Sequence, residues 1–177
     1  MRFKDTSLRD AKFIELEPFG DPRGAFARTF CEKEFAANGL ETQYVQHSFS
    51  VSRSKGTLRG MHMQRAPYLE EKLVRVTRGA IYDVIVDVRP ESPTYLKHEG
   101  FELSAECRCQ LYVPKGFLHG FLTLQDDTEV LYLISEFYQP GQDRGARYDD
   151  PAFGIHWPGD IAVIADKDLN WPPFPIG

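Results

Sequence analysis

Two stretches, each with a single histidine set among glycines, decide the fold of this chain: Gly56-Thr57-Leu58-Arg59-Gly60-Met61-His62-Met63-Gln64 and Pro114-Lys115-Gly116-Phe117-Leu118-His119-Gly120-Phe121. Both contain a short predicted strand, and similar strands are predicted along most of the chain. Their spacing of roughly 8–12 residues is typical of an all-β sandwich or barrel. The predicted strands lie at about 11–17, 44–51, 57–64, 70–78, 80–89, 101–104, 109–114, 118–124 and 128–138.

Only a few other local signals stand out. Residues 32–37, closed by Asn38-Gly39, predict one short helix, since glycine commonly ends a helix. Asp21-Pro22-Arg23-Gly24 predicts a turn. Strands 70–78 and 80–89 are expected to turn at Arg78-Gly79. The tail from residue 149 to 175 is rich in proline and tryptophan and is interpreted as an ordered segment that wraps the domain.

The two histidine stretches resemble the metal-binding motifs of the double-stranded β-helix, or cupin, barrel. In that layout the first motif supplies His-x-His and an acidic residue, and the second supplies Pro-x-Gly-x-x-His. His62 and His119 fit, but Gln64 replaces a histidine and Lys72 stands where the acidic ligand would be. Two imidazoles rarely complete a site that needs three or four ligands, and an ammonium repels a divalent cation. We therefore expect a cupin or jelly-roll barrel with a few short helices, no metal and no cofactor.

Lys72 is also informative through its position on a strand. It shares one face with Val74 and Val76, so the period of two places the ammonium on an otherwise apolar face that looks inward. The alternative is that Lys72 sits at the strand end and reaches out to water.

Composition indicates one globular domain spanning residues 1–177. The formal net charge of −5 gives no support for nucleic-acid binding. The start lacks the apolar run of a signal peptide, and no apolar stretch approaches the 18 or so residues of a membrane span, so we expect a cytoplasmic protein that does not cross a membrane. Cys31, Cys107 and Cys109 are predicted to be reduced thiols.

An ordered set of motifs along nearly the whole chain resembles the dTDP-4-dehydrorhamnose 3,5-epimerase family. The matching stretches are Asp21–Phe26, Leu58–Gln64, Glu71–Val74, Asp83–Arg89, Ser92–Thr94, Val113–Phe121, Tyr138–Pro140, Asp149–Pro151, Ile155–Pro158 and Asp166–Asp168. The resemblance implies an isomerase that acts on a nucleotide-linked 4-keto-6-deoxy sugar in deoxysugar or cell-surface polysaccharide synthesis.

The implied chemistry needs a base, an enolate stabiliser and an acid on the opposite face of the sugar, because the carbonyl acidifies the C–H bonds at carbons 3 and 5. By resemblance His62 is the base and Tyr132 the acid. A carboxylate partner would fix which tautomer the imidazole of His62 adopts. Asp168 is the first candidate for this partner and Asp83 is the second. Lys72 and His119 are expected to face the developing oxyanion.

The resemblance also implies how the nucleotide is held. Arg59 is expected to bind the diphosphate, as is Arg23 from a neighbouring subunit, if the homodimer exchanges its N-terminal strand as the family does. Arginine suits this role because its planar fork binds phosphate oxygens in pairs. The remaining binding residues implied by the resemblance are Phe26 and Tyr138 around the base, Gln46 at the sugar nucleotide, and Asp143 and Lys167 near the site.

Several positions depart from the family pattern. Arg28 stands where the family has a glutamate that reads the base, and a guanidinium donates hydrogen bonds but cannot accept one from the thymine N–H. CDP- or GDP-linked sugars therefore become plausible substrates beside dTDP. Ser48 replaces an asparagine and loses hydrogen-bonding capacity towards the sugar. His47 and Met63 are expected to alter the pocket lining.

Other functions remain open at this point. One alternative is a metal-dependent cupin, either a dioxygenase or a sugar isomerase. Another is a sugar-nucleotide binding module without catalysis. Within the family, an enzyme that inverts only carbon 3 or only carbon 5 would use the same residues.

Overall fold

The computed structural model describes residues 1–175, and most of its regular structure is β-strand. Two short helices, α1 (Glu32–Ala37) and α2 (Asp166–Leu169), are the only helical elements in that part of the chain. The strands are β1 (Arg2–Asp5), β2 (Lys12–Glu15), β3 (Phe19–Asp21), β4 (Gly24–Phe26), β5 (Gln46–Ser52), β6 (Thr57–Gln64), β7 (Lys72–Arg78), β8 (Ala80–Asp87), β9 (His98–Ser104), β10 (Cys109–Val113), β11 (Phe117–Thr123), β12 (Thr128–Ile134), β13 (Asp143–Gly145) and β14 (Val163–Ile164).

Most strands form two facing sheets, and β3 and β4 pair as a separate hairpin. The first has the order β1-β2-β10-β7-β12-β5, and the second has the order β13-β6-β11-β8-β9, with β14 paired in parallel to β6. From β5 to β8 and again from β9 to β12, successive strands pass from one sheet to the other. This alternation is that of a jelly roll, so the predicted fold class is confirmed.

The core lies between the sheets and continues on the outer face of the second one. Val74 and Val76 of β7 are buried between the sheets with Ile85 of β8. Along β6 the alternate residues Met61 and Met63 belong to a separate apolar layer, which the C-terminal tail covers with residues such as Phe153 and Phe174. The predicted wrapping role of the tail is therefore confirmed for the described residues.

The structure corrects several element predictions. The chain opens with β1, which pairs with β2, so the strand predicted at 11–17 is the second one. The strands on either side of Arg78-Gly79 do not pair with each other, because β7 lies in the first sheet and β8 in the second. Gly79 permits this crossing, since it has a φ of +74° and a Cβ there would lie 2.4 Å from Thr128 Oγ1. Helix α2 was not predicted.

The cysteine prediction is wrong for two of the three residues. Cys107 and Cys109 are joined by a disulfide in the turn between β9 and β10, with their Cα atoms 5.3 Å apart. A strand would place residues two apart on one face, but Arg108 between them adopts a φ of +51°, which bends the chain and brings the sulfurs together. Cys31 is a free thiol.

Among the described residues, no helix is both long enough and apolar enough to cross a bilayer.

Candidate active site

A cleft between the two sheets brings together the residues singled out from the sequence. One cavity of about 340 Å³ is lined by His62 and His119 from the second sheet and by Lys72 and Tyr132 from the first. A second cavity, of about 190 Å³, shares His62 and Lys72 with it, so the two form one continuous cleft. The two walls of the cleft therefore carry different functional groups.

Two glycines place the histidines side by side. Gly60 on β6 and Gly120 on β11 approach so closely that a Cβ on Gly60 would lie 2.5 Å from the Gly120 Cα. The register of the two strands is irregular at this point and pairs His62 directly with His119. Any larger side chain at Gly60 or Gly120 would push the strands apart, which explains why glycines flank both histidines.

His62 forms a dyad with Asp168. Its Nε2 lies 2.5 Å from Asp168 Oδ1, while Asp168 Oδ2 accepts a hydrogen bond from the Gly60 N–H at 3.2 Å. Burial by itself would raise the pKa of Asp168, but the hydrogen bonds from His62 and Gly60 outweigh it and hold that pKa below its usual value. A carboxylate can only accept, so in the neutral imidazole Nε2 carries the hydrogen and Nδ1 is free to take a proton. The first-choice partner of His62 is thus confirmed in its position.

Asp83, the second candidate, serves the other histidine. Its two carboxylate oxygens lie 2.9 and 3.0 Å from His119 Nε2, and both side chains are buried. The cleft therefore contains two histidine–carboxylate pairs on adjacent strands. The pairing of Asp83 with His119 was not predicted from the sequence.

Lys72 points into the cleft, as the inward alternative predicted. Its side chain is only 15% exposed, and its Nζ lies 3.1 Å from Oε1 of the buried Glu70. The other carboxylate oxygen of Glu70 accepts the Gln64 N–H at 3.3 Å. Glu70 was not singled out from the sequence, because an acidic residue in a loop before a strand gives no distinctive signal.

Tyr132 occupies the wall opposite His62, on β12. Burial raises the pKa of its phenol, so the hydroxyl stays protonated at neutral pH and can act as an acid. The hydroxyl lies 3.4 Å from Ser50 Oγ on the neighbouring β5, and the ring meets that of His119 edge to face. Arg59 lines the same cavity and is anchored to β5 through Ser52 Oγ and the Val51 carbonyl.

The outer part of the cleft contains four of the predicted binding residues. Gln46 accepts the Tyr138 backbone N–H at 2.7 Å, and Lys167 pairs with Asp143 at 2.8 Å. Asp143 also lies 3.4 Å from the Tyr138 hydroxyl. Ser48 lines the inner cavity. These residues form a polar rim on both sides of the cleft.

Gln64 has a structural role in this rim. Its amide nitrogen donates to the carbonyls of Tyr68 and Phe137, and its amide oxygen accepts the Gln139 N–H. These bonds brace the loop that carries Tyr138. Met63 borders the cleft, although its side chain is buried in the apolar layer outside the second sheet. His47 lies on the outward row of β5, so the prediction that His47 alters the pocket lining is wrong within a single chain.

Three predicted binding residues do not reach the cleft within one chain. Arg23 and Phe26 lie on the exposed β3–β4 hairpin, where the Arg23 side chain is 90% exposed and pairs with Asp21. Arg28 pairs with Glu34 of α1 at 3.1 Å. None of the three lines either part of the cleft.

Within residues 1–175 there is no group of three or more histidine, cysteine or acidic side chains arranged to hold a metal ion. The cleft also places the Lys72 ammonium beside His62 and His119, and a cationic side chain at that position does not suit a divalent metal ion.

The comparisons with known proteins agree with this geometry. Residues 5–175 match the family model for dTDP-4-dehydrorhamnose 3,5-epimerase. The chain belongs to this family. A relative named dTDP-4-dehydrorhamnose 3,5-epimerase, from Methanothermobacter thermautotrophicus, is 47% identical over 98% of this chain and 94% of its own length. The resemblance read from the motifs and the predicted class of enzyme, a carbohydrate epimerase, are confirmed.

Solved structures of the family superpose closely on the chain. That of dTDP-4-dehydrorhamnose 3,5-epimerase from Bacillus anthracis, with TDP and PPi bound, has a TM-score of 0.94 and 41% identity and covers 98% of this chain and 99% of its own. A 3'-monoepimerase from Streptomyces bikiniensis, in complex with dTDP-quinovose, has a TM-score of 0.87 and 35% identity over 95% of this chain and 85% of its own. The structural relatives of this epimerase thus include a 3,5-epimerase and a 3'-monoepimerase.

Proposed function

We propose that this epimerase acts on a nucleoside-diphosphate-linked 4-keto-6-deoxy sugar and inverts carbon 3, carbon 5 or both. The observation that carries the proposal is the arrangement of the cleft. The His62–Asp168 dyad lies on one sheet, and Tyr132 lies on the facing sheet of the same cavity. Inversion of a carbon needs a base and an acid on opposite faces of the ring, and these two walls supply them.

The proton transfers follow from the environment of each group. Neutral His62 removes the proton next to the carbonyl, and Asp168 stabilises the imidazolium that forms. The negative charge that develops on the carbonyl oxygen is met by the Lys72 ammonium, which Glu70 holds in place, and His119, held by Asp83, lies on the facing wall of the same cavity. Tyr132 then delivers its proton to the opposite face of the carbon, and the configuration is inverted.

A homodimer completes the nucleotide end of the site. The hairpin side chains Phe19 and Phe26 are 77% and 75% exposed, and Phe49 on β5 is 67% exposed. Phe19 and Phe26 are paired across the hairpin, and Phe49 lies on the outward row of β5; exposed aromatic side chains of this size are typical of surfaces that another chain covers. In a dimer that exchanges its N-terminal strand, Arg23 and Phe26 reach the diphosphate and the base of the neighbouring subunit, while Arg59 holds the diphosphate from within.

The choice of nucleotide and a cytoplasmic location remain predictions. Arg28 lies close to the hairpin in sequence and would approach the base together with Phe26. Its pairing with Glu34 competes with that role, so base selection depends on whether the dimer draws the guanidinium away.

The test is NMR of dTDP-, CDP- and GDP-4-keto-6-deoxyglucose with the purified protein in D₂O. Deuterium should appear at carbon 3, carbon 5 or both, together with inversion, and His62→Ala should abolish it. Absence of exchange with all three substrates would overturn the proposal in favour of a binding module. Stoichiometric iron, zinc or manganese in the active protein would favour a metal-dependent cupin. Light scattering that shows a fully active monomer would refute the dimer.

A further inference from the structure

Strand β5 has an inverted pattern of side chains. Gln46, Ser48, Ser50 and Ser52 alternate along one face, and the first three of these line the cleft, whereas the row on the other face includes the exposed Phe49 and Val51. A strand at the edge of a sheet commonly turns its apolar row inwards. Here a row of hydroxyls runs beside Tyr132, and its exposure rises from the buried Ser52 through the half-buried Ser50 to the exposed Ser48.

Ser50 is the member of this row that reaches the acid. Its Oγ lies 3.4 Å from the Tyr132 hydroxyl, and no other side chain of the described residues hydrogen-bonds to that hydroxyl. The distance is long for two hydroxyl groups, which usually lie about 2.7–2.8 Å apart, so proton transfer requires the two oxygens to approach by about 0.6–0.7 Å. Ser48, directly opposite Tyr132 in the strand ladder, is not hydrogen-bonded to it.

The environment of Tyr132 makes its proton hard to replace while a sugar is bound. Asp83 and Arg59 are the charged side chains that alter the pKa of the Tyr132 phenol, and His119 packs against the tyrosine ring. Asp83 and His119 are bonded to each other, and Arg59 is bonded to β5. Once a sugar fills the cleft and takes the phenol proton, Ser50 is the neighbouring hydroxyl from which a proton can return.

We propose that Ser50 reprotonates Tyr132 while the sugar still occupies the cleft, so that a single bound substrate can be inverted a second time. The inference rests on the proposed function. The Tyr132 O–H proton goes to carbon. In one concerted step the Ser50 O–H proton then passes to the Tyr132 oxygen while Ser50 takes a proton from solvent, so no alkoxide forms on Ser50. The proton that His62 removed returns to solvent, so charge and atoms balance. Ser50 acts through Tyr132 and is a positioning residue for it.

The test compares the first and second inversions in wild type and Ser50→Ala. Products formed early, with substrate in excess, are fixed by reduction with borodeuteride, and singly and doubly inverted sugars are counted by NMR. In Ser50→Ala the first inversion should stay within about threefold of wild type, since Tyr132 starts protonated. The ratio of the second rate to the first should fall at least tenfold, with KM unchanged, so that singly inverted sugar is released.

Two further variants separate the relay from a general effect on folding. Ser50→Thr retains the hydroxyl on a residue suited to a strand and should restore double inversion. Ser54→Ala, in the exposed turn after β5, should behave as wild type.

Three results would overturn the inference. The first is an unchanged ratio in Ser50→Ala, and the second is an equal loss of both inversions. The third is a wild-type enzyme that inverts only one carbon in each binding event, because Ser50 would then have no proton to replace. The last result leaves the proposed epimerase function intact, whereas failure of exchange in every substrate would remove that function itself.

Discussion

Asp168→Asn is the most direct test of the His62 dyad. Asp168 Oδ1 accepts from His62 Nε2 at 2.5 Å, and the carboxylate side chain is only 7% exposed. Asparagine has nearly the same shape, so the fold around the site should persist. Its amide can donate to Nε2, however, and that would place the imidazole hydrogen on Nδ1, the nitrogen that must take the substrate proton.

The expected loss has two parts. A hydrogen bond to a charged partner contributes about 1.5–3 kcal/mol, and each 1.36 kcal/mol in the barrier changes a rate tenfold, so losing the stabilised imidazolium costs about 10–150-fold. The fraction of molecules in the wrong tautomer adds to this. We expect kcat to fall by about 10²–10⁴ in total, the range found when a general base is disabled.

The assay is deuterium exchange at the sugar carbons in D₂O, followed by NMR, with nucleotide affinity measured separately by calorimetry. Nucleotide affinity should stay within a few-fold of wild type, because Asp168 contacts the general base His62 and not the residues expected to bind the nucleotide. The matched control is Asp166→Asn, an exposed residue of the same helix, which should leave exchange unchanged. Exchange in Asp168→Asn at more than a third of the wild-type rate would refute the role of the dyad.

Three further predictions concern other parts of the molecule. Tyr132→Phe should retain exchange by His62 but lose net inversion, and inversion at the wild-type rate would assign the acid to another group. Arg28→Glu should shift nucleotide preference towards dTDP by about ten- to a hundredfold, since one hydrogen bond to a charged group contributes about 1.5–3 kcal/mol. If calorimetry with dTDP, CDP and GDP gives the same ratios of affinities in wild type and variant, Arg28 does not select the nucleotide. The pKa of Asp168 is lowered in the folded protein, so its ionised form stabilises the fold fully above the unfolded pKa of about 3.9. The difference in unfolding free energy between wild type and Asp168→Asn should therefore shrink as the pH falls from about 4 towards 2. Chemical denaturation that shows a constant difference over this pH range would contradict the prediction.

The sequence by itself determined the fold class, while the resemblance of its motifs to a known family predicted the reacting groups. Strands at regular spacing, with the two glycine-flanked histidines, predicted the barrel, and β6 begins and ends at the predicted residues, 57 and 64. The period of two along β7 placed Lys72 inside. These features are local, because strand propensity, alternation and turn residues act over a few neighbours.

Only the tertiary structure decided which groups meet. Asp168 reaches His62 across 106 positions of the chain and Asp83 reaches His119 across 36, and no local pattern distinguishes this pairing from its exchange. The Cys107–Cys109 disulfide depends on the backbone bend at Arg108, and the proximity of Ser50 to Tyr132 depends on the register of β5 against β12. Such contacts arise when strands distant in the chain pack into one register, so they are properties of the assembled sheets rather than of any segment.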